Sequence, residues 1–203
     1  MNIGDDRMKA SKLLKFVGVG MVFSSFLFAC SHKDSDVKTI GVLQYMEHGA
    51  LDAAYEGFIA GLAEEGYIEG ENIKIDLKNA QGDLTTAQTI ANQYVSDDVD
   101  MMFAIATQAV QSAYNATKDI PILMTAVTDP VEAGVVKDWN QSGTNVTGTS
   151  DLTPVAKQME LITELVPEAK TVGVIYTTSE VNSEVQVKMA EEAASNLGLQ
   201  VIR

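Results

Sequence analysis

From Val37 onward the chain alternates short apolar runs with amphipathic stretches, and this alternation limits the folds open to it more than any other feature. The run Thr39-Ile-Gly-Val-Leu-Gln-Tyr45 is rich in branched side chains and reads as a buried strand. Leu51, Ala54, Phe58 and Leu62 come next at helical spacing, with Asp52, Glu56, Glu64 and Glu65 on other faces and Gly66 as a stop. Ile73, Ile75 and Leu77 alternate with Lys74 and Asp76, as in a half-exposed strand near a sheet edge. The cycle then repeats. Asp83 caps a helix carrying Ala87, Ile90, Ala91 and Tyr94, Met101 to Ala106 form a third strand, and Thr107 opens a helix with Val110, Ala113 and Tyr114 on one side. Pro121 to Val127 are a fourth strand, Asp129-Pro130 starts a short helix, and Asn145 to Thr149 are a fifth strand or a crossing segment. Such alternation predicts an α/β fold with a doubly wound parallel sheet, since right-handed crossovers place helices on both faces.

A second unit begins near residue 151. Thr153-Pro154 offers a capping hydroxyl followed by a first-turn proline, for a helix running to about Leu165. Thr171-Val-Gly-Val-Ile-Tyr176 then repeats the character of the first strand, a Thr-x-Gly-Val start ending in tyrosine. A helix over Asn182 to Leu197 and a strand over Leu199 to Arg203 complete the pattern. Two strands cannot cover both faces of an open sheet, so the expectation is two lobes, 38–150 and 151–203, with the second incomplete.

Charge narrows the partners. Asp and Glu number 28 against 14 Lys and Arg, for a net charge of −14, whereas a phosphate backbone calls for the opposite field; nucleic acid is not expected. No Gly-Lys-Ser/Thr phosphate loop, G-x-G-x-x-G or G-x-S-x-G elbow comes after any strand. His32 and His48 are too few for a histidine metal cluster. His48 beside Glu47 could act as an acid or base, but a polar loop residue at a helix start is the favoured reading, so no catalytic residue, metal or cofactor is expected.

The first thirty residues read as an address. Lys9, Lys12 and Lys15 precede the 14-residue apolar run from Phe16 to Ala29, too short for an ordinary membrane span and suited to a secretory signal peptide over 1–29. The run ends in Leu27-Phe28-Ala29-Cys30, which resembles a bacterial lipobox and implies cleavage before Cys30 and lipid attachment to its thiol. Cys30 is the one cysteine. Asp5 and Asp6 sit in a region that should be basic, which makes Met8 an alternative start to Met1. Cleavage would remove four basic and two acidic residues and take the net charge from −14 to −16. Residues 30–37 then form a lipidated tether that holds an extracytoplasmic domain at the bacterial cell membrane.

In an open α/β sheet a ligand binds beyond the carboxyl ends of the strands, where the strand order reverses. That rule selects Tyr45, Met46, Glu47 and His48 after the first strand, Thr107 and Gln108 after the third, and Thr128 and Asp129 after the fourth. Ser150 at the lobe crossing and Tyr176, Asn182 and Ser183 in the second lobe complete the set. Each has a plainer role open to it. Asp129 can cap the next helix, Thr107 can be an N-cap, and Tyr45 can be a core residue at a strand end. Met101, Met102 and Met124 are read as core packing.

The segments GVLQYMEHGALDAAYEGF, ATQAVQSA, IPILMTAVTDPVEAGVV, NVTGTSD and VPEAKTVGVIYTTSEVNS resemble, in order, the ABC-transporter substrate-binding proteins of the TrpX-like family. The likeness covers nearly all of residues 38 to 203. It implies a type I periplasmic-binding-protein fold, a ligand trapped between two lobes, a separate permease and ATPase, and aromatic amino acids as the ligand class. A zwitterion of that kind needs an anion grip, a cation partner and a side-chain pocket. Thr107 and Gln108 suit the carboxylate, Asp129 the ammonium, and Tyr45 and Met46 an aromatic ring, with Tyr176, Asn182 and Ser183 closing over it. A nucleoside, sugar or short peptide remains open as ligand, as do a secreted enzyme using Glu47, His48 or Asp129 and a sensory module.

The lipobox reading makes a direct prediction. In a bacterial host the wild-type protein is expected to incorporate radiolabelled palmitate, and Cys30→Ala is expected to abolish the label and release or misprocess the protein.

Overall fold

The structure, a computed structural model, describes residues 37–203. The signal sequence, Cys30, His32 and most of the tether lie outside the described residues. Strand β1 (Lys38–Gln44) leads to helix α1 (Gly49–Glu64), β2 (Ile73–Asn79), α2 (Leu84–Ser96), β3 (Met101–Ile105), α3 (Thr107–Ala116), β4 (Ile122–Val127) and β5 (Val146–Ser150). These strands form one parallel sheet in the order β2-β1-β3-β4-β5. From β1 the chain first steps outward to β2, then passes back over β1 to β3 and on to β4. Right-handed crossovers in opposite directions must put α1 on one face and α2 and α3 on the other.

The packing shows this separation. Ile40, Val42, Phe103 and Ile105 meet Leu51, Ala54, Phe58 and Leu62 of α1, with the Phe58 and Phe103 rings stacked at 4.0 Å. Leu43, Met102, Ala104, Ile122 and Met124 face the opposite way, against Ala87, Ile90, Ala91 and Tyr94 of α2 and Ala109, Val110 and Ala113 of α3. Successive residues of β1 and β3 thus serve two cores, as the period-2 pleat requires. The methionines expected in the core follow suit, Met102 and Met124 buried and Met101 half-buried. Strand β2 is the edge strand, as its alternation suggested, and Asp83 caps α2 by accepting from the Thr86 N–H at 2.6 Å.

Beyond β5 come α4 (Val155–Leu165), β6 (Thr171–Gly173), α5 (Val181–Asn196) and β7 (Gln200–Ile202), with β6 and β7 forming a separate parallel pair. Val155, Met159, Ala190, Ala193, Ala194 and Leu199 make their own apolar cluster.

Three expected elements differ. Asp129-Pro130 opens a turn rather than a helix: Gly134 takes φ 73°, and the Val135 and Val136 N–H groups both return to the Pro130 carbonyl, sending Val135 into the core. The Thr153 hydroxyl does not cap α4. Pro154 itself occupies the N-cap with no side-chain cap, and the Val155 N–H bonds the Thr153 carbonyl at 2.9 Å. The strand expected over Thr171 to Tyr176 stops at Gly173. It pairs with β7, and a further Val174 N–H to Ile202 carbonyl bond of 2.9 Å lies just beyond it.

The repeated Thr-x-Gly-Val phrase has different reasons in its two places. A Cβ on Gly41 would lie 2.8 to 2.9 Å from the Tyr94 ring, while one on Gly173 meets nothing within 4 Å among the described residues. Tyr94 cannot retreat. It is fully buried, its hydroxyl is shared between the carbonyls of Val42 (2.9 Å) and Asp76 (2.7 Å), and Lys78 Nζ sits 4.5 Å from its ring. Burial, with the nearby Asp76 carboxylate, holds its phenol far above the ordinary range, so it remains a donor. Gly41→Ala is expected to lower unfolding stability by about 1–3 kcal/mol, the usual cost of overpacking. Gly173→Ala should change it by less than about 0.5 kcal/mol, as for a substitution away from packed features. Denaturant melts of the two variants check the difference.

Candidate functional site

The strand order reverses between β1 and β3, and the crevice of a doubly wound sheet opens there. Three backbone bonds tie the strand tips together: Tyr45 N–H to Ile105 carbonyl (3.2 Å), Ala106 N–H to Thr125 carbonyl (3.1 Å), and Asp151 N–H to Val127 carbonyl (3.2 Å). Neighbouring strands stand about 4.8 Å apart. The segments after β1, β3 and β4 therefore lie side by side along one rim.

At the first tip, Tyr45 is locked from both ends. Its hydroxyl donates to the Gly82 carbonyl, and its carbonyl accepts from the Gly82 N–H, both at 2.8 Å. Burial comes first in raising its phenol above the ordinary value, followed by the carboxylates of Glu180 and Asp83. Asp83 is itself held below the usual carboxylate range by hydrogen bonds from Thr86. Met46 is exposed beside Gly82. His48 is the N-cap of α1, accepting the Ala50 N–H on Nδ1 at 3.2 Å, which is the plain role the sequence favoured. Glu47 is exposed in the same loop.

The sequence reading passed over Gln44, which organises this loop. Its side chain is buried, and Nε2 donates to the Met46 carbonyl (2.9 Å) and to Asp52 Oδ1 (2.7 Å), pinning the loop to α1. The available signal was an amide ending an otherwise apolar strand run.

At the second tip Ala106 adopts φ 84° and ψ 155°, a conformation that a residue with a Cβ takes only under constraint. It turns the chain sharply from β3 into α3. Ala106, not Thr107, is the N-cap, and no side chain caps the helix. The first-turn N–H groups, including those of Thr107 and Gln108, have no intrahelical partner and form the positive end of the helix dipole. Thr107 and Gln108 are both buried, and the Thr107 hydroxyl makes no hydrogen bond among the described residues.

Ala126, with φ 54°, breaks the register at the end of β4. Thr128 is buried, and its carbonyl accepts from the Ser150 hydroxyl at 2.8 Å. Ser150 Oγ also accepts the Leu152 N–H at 3.0 Å, so this residue stitches the lobe crossing together. Asp129 uses one oxygen, Oδ1, to accept the Val131 (2.9 Å) and Glu132 (3.0 Å) N–H groups. Oδ2 is left free of both.

In the second lobe, Asn182 and Ser183 open α5, and Asn182 Oδ1 accepts from Gln108 Nε2 at 3.0 Å. Tyr176 and Ser183 line a cavity of about 550 Å³ whose other walls include Met159, Ile162, Val172 and Val187. That cavity belongs to the second lobe alone, and its apolar lining is that of a packing face. The strand-tip rim carries the polar chemistry. Among the described residues no cluster of His, Cys, Asp and Glu could hold a metal, and no helix is long and apolar enough to cross a membrane.

A 2-1-3-4-5 parallel sheet with helices on both faces, followed by a second strand-helix unit, defines a type I periplasmic-binding-protein architecture, here with a polar rim at the strand tips. The family model for ABC transporter substrate binding proteins matches residues 39–203, and the chain belongs to that family. A tyrosine-binding protein of Clostridioides difficile (strain R20291) is 47% identical over 208 residues, covering 96% of this chain and 60% of the relative. Among solved structures, an ABC domain in complex with L-Trp from Streptococcus pneumoniae matches with a TM-score of 0.78 at 45% identity. The ligand-free, open structure of a Clostridium difficile substrate-binding protein with adhesive properties matches with a TM-score of 0.67 at 54% identity. Each match covers 81% of this chain and 56% of the other. The chain thus spans a little over half the length of these relatives.

The strain at Ala106 can be measured. Glycine tolerates the conformation, so Ala106→Gly should recover about 1–3 kcal/mol of strain against a glycine entropy cost of about 0.5–1 kcal/mol. The expected outcome is a net gain near 1 kcal/mol in a denaturant melt. Ala106→Val should be destabilising, since a β-branched residue fits positive φ least well.

Proposed function

We propose that this protein is the extracytoplasmic receptor of an ABC importer, which captures a free amino acid, aromatic in class, and delivers it to a permease and its ATPase. The reading is supported most by one observation: family membership coincides with a strand-tip rim whose groups match a zwitterion. Uncapped N–H groups at Thr107 and Gln108, with the Thr107 hydroxyl, suit a carboxylate. Asp129 Oδ2 suits an ammonium, and Tyr45 with the exposed Met46 offers an aromatic ring a surface. Tyr176, Asn182 and Ser183 supply the second wall. Nothing in this chemistry calls for turnover, and the ligand is bound without reaction. The aromatic class is further supported by the relatives' own ligands, tyrosine and L-Trp. Lipid on Cys30 would hold the receptor at the membrane.

Asp129→Asn tests the cation site. Because Oδ1 alone serves the two N–H groups, an asparagine carbonyl can take over that cap while the charge is lost. Removing one partner of a desolvated charge pair costs about 2–5 kcal/mol, whereas losing a cap outright costs about 1 kcal/mol. Calorimetric titration with L-tyrosine and L-tryptophan is expected to show at least about tenfold weaker binding, or about 1.4 kcal/mol, with a ligand-free Tm near wild type. A lowered Tm with unchanged Kd would assign Asp129 to structure alone.

A further inference from the structure

We propose that Gln111 is a positioning residue whose hydrogen bond to the Ala133 backbone carbonyl sets the distance between the carboxylate grip of α3 and Asp129, and so selects α-amino acids over ligands with wider-set charges. The proposal rests on the receptor reading. Gln111 lies four residues after Thr107 on α3, on the same face and one turn behind the uncapped N–H groups. Its Nε2 donates to the Ala133 carbonyl at 3.0 Å. Among the described residues this is the one hydrogen bond from α3 to the turn that follows Asp129.

The turn gives that bond its leverage. Asp129 Oδ1 accepts the Val131 and Glu132 N–H groups, and the Asp129 backbone carbonyl accepts the Ala133 N–H at 2.9 Å. The carboxylate and residues 131–133 therefore move as one piece, and Gln111 grips the last carbonyl of that piece. On the α3 side the packing is open. Gln111 and Ala133 both line a cavity of about 270 Å³ between α2, α3 and the turn, where Gln88, Ser112 and Asn115 form other walls. Backbone beside a void has fewer contacts to fix it, so one hydrogen bond counts for more there. The far end of the turn is anchored separately, by buried Val135, whose carbonyl accepts from the Thr144 hydroxyl at 2.7 Å. A binding group acts with precision only when the residues behind it are held. One added carbon between carboxylate and amine lengthens a ligand by about 1.5 Å, and a fixed distance from grip to Asp129 rejects it.

The test compares two ligands on the full chain. L-β-homotyrosine has the ring and both charges of L-tyrosine, with one more carbon between carboxylate and amine. Calorimetric titration of the wild type is expected to favour L-tyrosine at least about tenfold. Gln111→Ala, and Gln111→Met, which keeps the length but lacks the donor, are each expected to weaken L-tyrosine about fivefold, the range of one hydrogen bond, and to leave L-β-homotyrosine nearly unchanged. The preference thus narrows about fivefold. Loss of fold lowers the binding-competent fraction for both ligands alike and leaves their ratio untouched, so the ratio reads position. A ratio unchanged in both variants, or narrowed by only one of the two, would overturn the role of Gln111. If Asp129→Asn still weakens L-tyrosine in that case, the amino-acid reading stands without it. A wild type that binds neither L-tyrosine nor L-tryptophan would overturn that reading, and this role with it.

Discussion

The parallel pairing of β1 with β3 is the constraint on which the rest of the molecule depends. β1 is paired on both sides, to β2 through α1 and to β3 through α2, so the chain leaves it in one direction and returns past it in the other. A right-handed crossover in each direction forces the helices to opposite faces. Where they diverge, no helix fills the space above the strand tips. The crevice is thus a consequence of connectivity and needs no side chain to hold it open. Gly41 lets α2 pack close on β1, because the Tyr94 ring occupies the volume where any other residue would place a Cβ.

Polar groups collect at this rim for a related reason. A parallel strand buried on both faces can spend few of its own residues on chemistry, and the functional burden falls on the first residues beyond it. Those residues are held under load. Ala106 and Ala126 both take positive φ at the ends of adjacent strands, and their cost is offset by the packed strands behind them, β3 above all. The turn at Ala106 aims a helix start, with its unpartnered N–H groups, along the crevice. At the neighbouring tip Gln44 spends two hydrogen bonds on fixing the loop that carries Tyr45 and Met46. The site is preorganised by backbone strain and one buried amide more than by contacts among the binding groups themselves.

Gln108 of the first lobe and Asn182 of the second meet as a neutral amide pair in a strongly acidic protein. A receptor that closes on a ligand needs an equilibrium near balance, since a ligand can shift populations only by the difference in its affinity for the two states.

How far the sequence reaches depends on the range of the interaction. Periodicity is local, so the strand-helix order and the edge position of β2 were legible from Ile73, Ile75 and Leu77, as was the cap at Asp83. The strand-tip rule, applied to that order, selected the rim segments that hold Tyr45, Thr107, Gln108 and Asp129. The expected helix after Asp129 was decided by packing: the chain turns instead, and Val135 is drawn into the core. Gln44 looked like the end of a strand, and only its meeting with Asp52 and the Met46 carbonyl makes it an organiser. The sequence by itself determined the element order, the parallel sheet and the chemical inventory of its rim, because those arise from short-range pattern and chirality. The tertiary structure alone decided that Gln108 meets Asn182 across 74 residues, because contacts between lobes depend on how separately folded units are set against each other, and no local period encodes that.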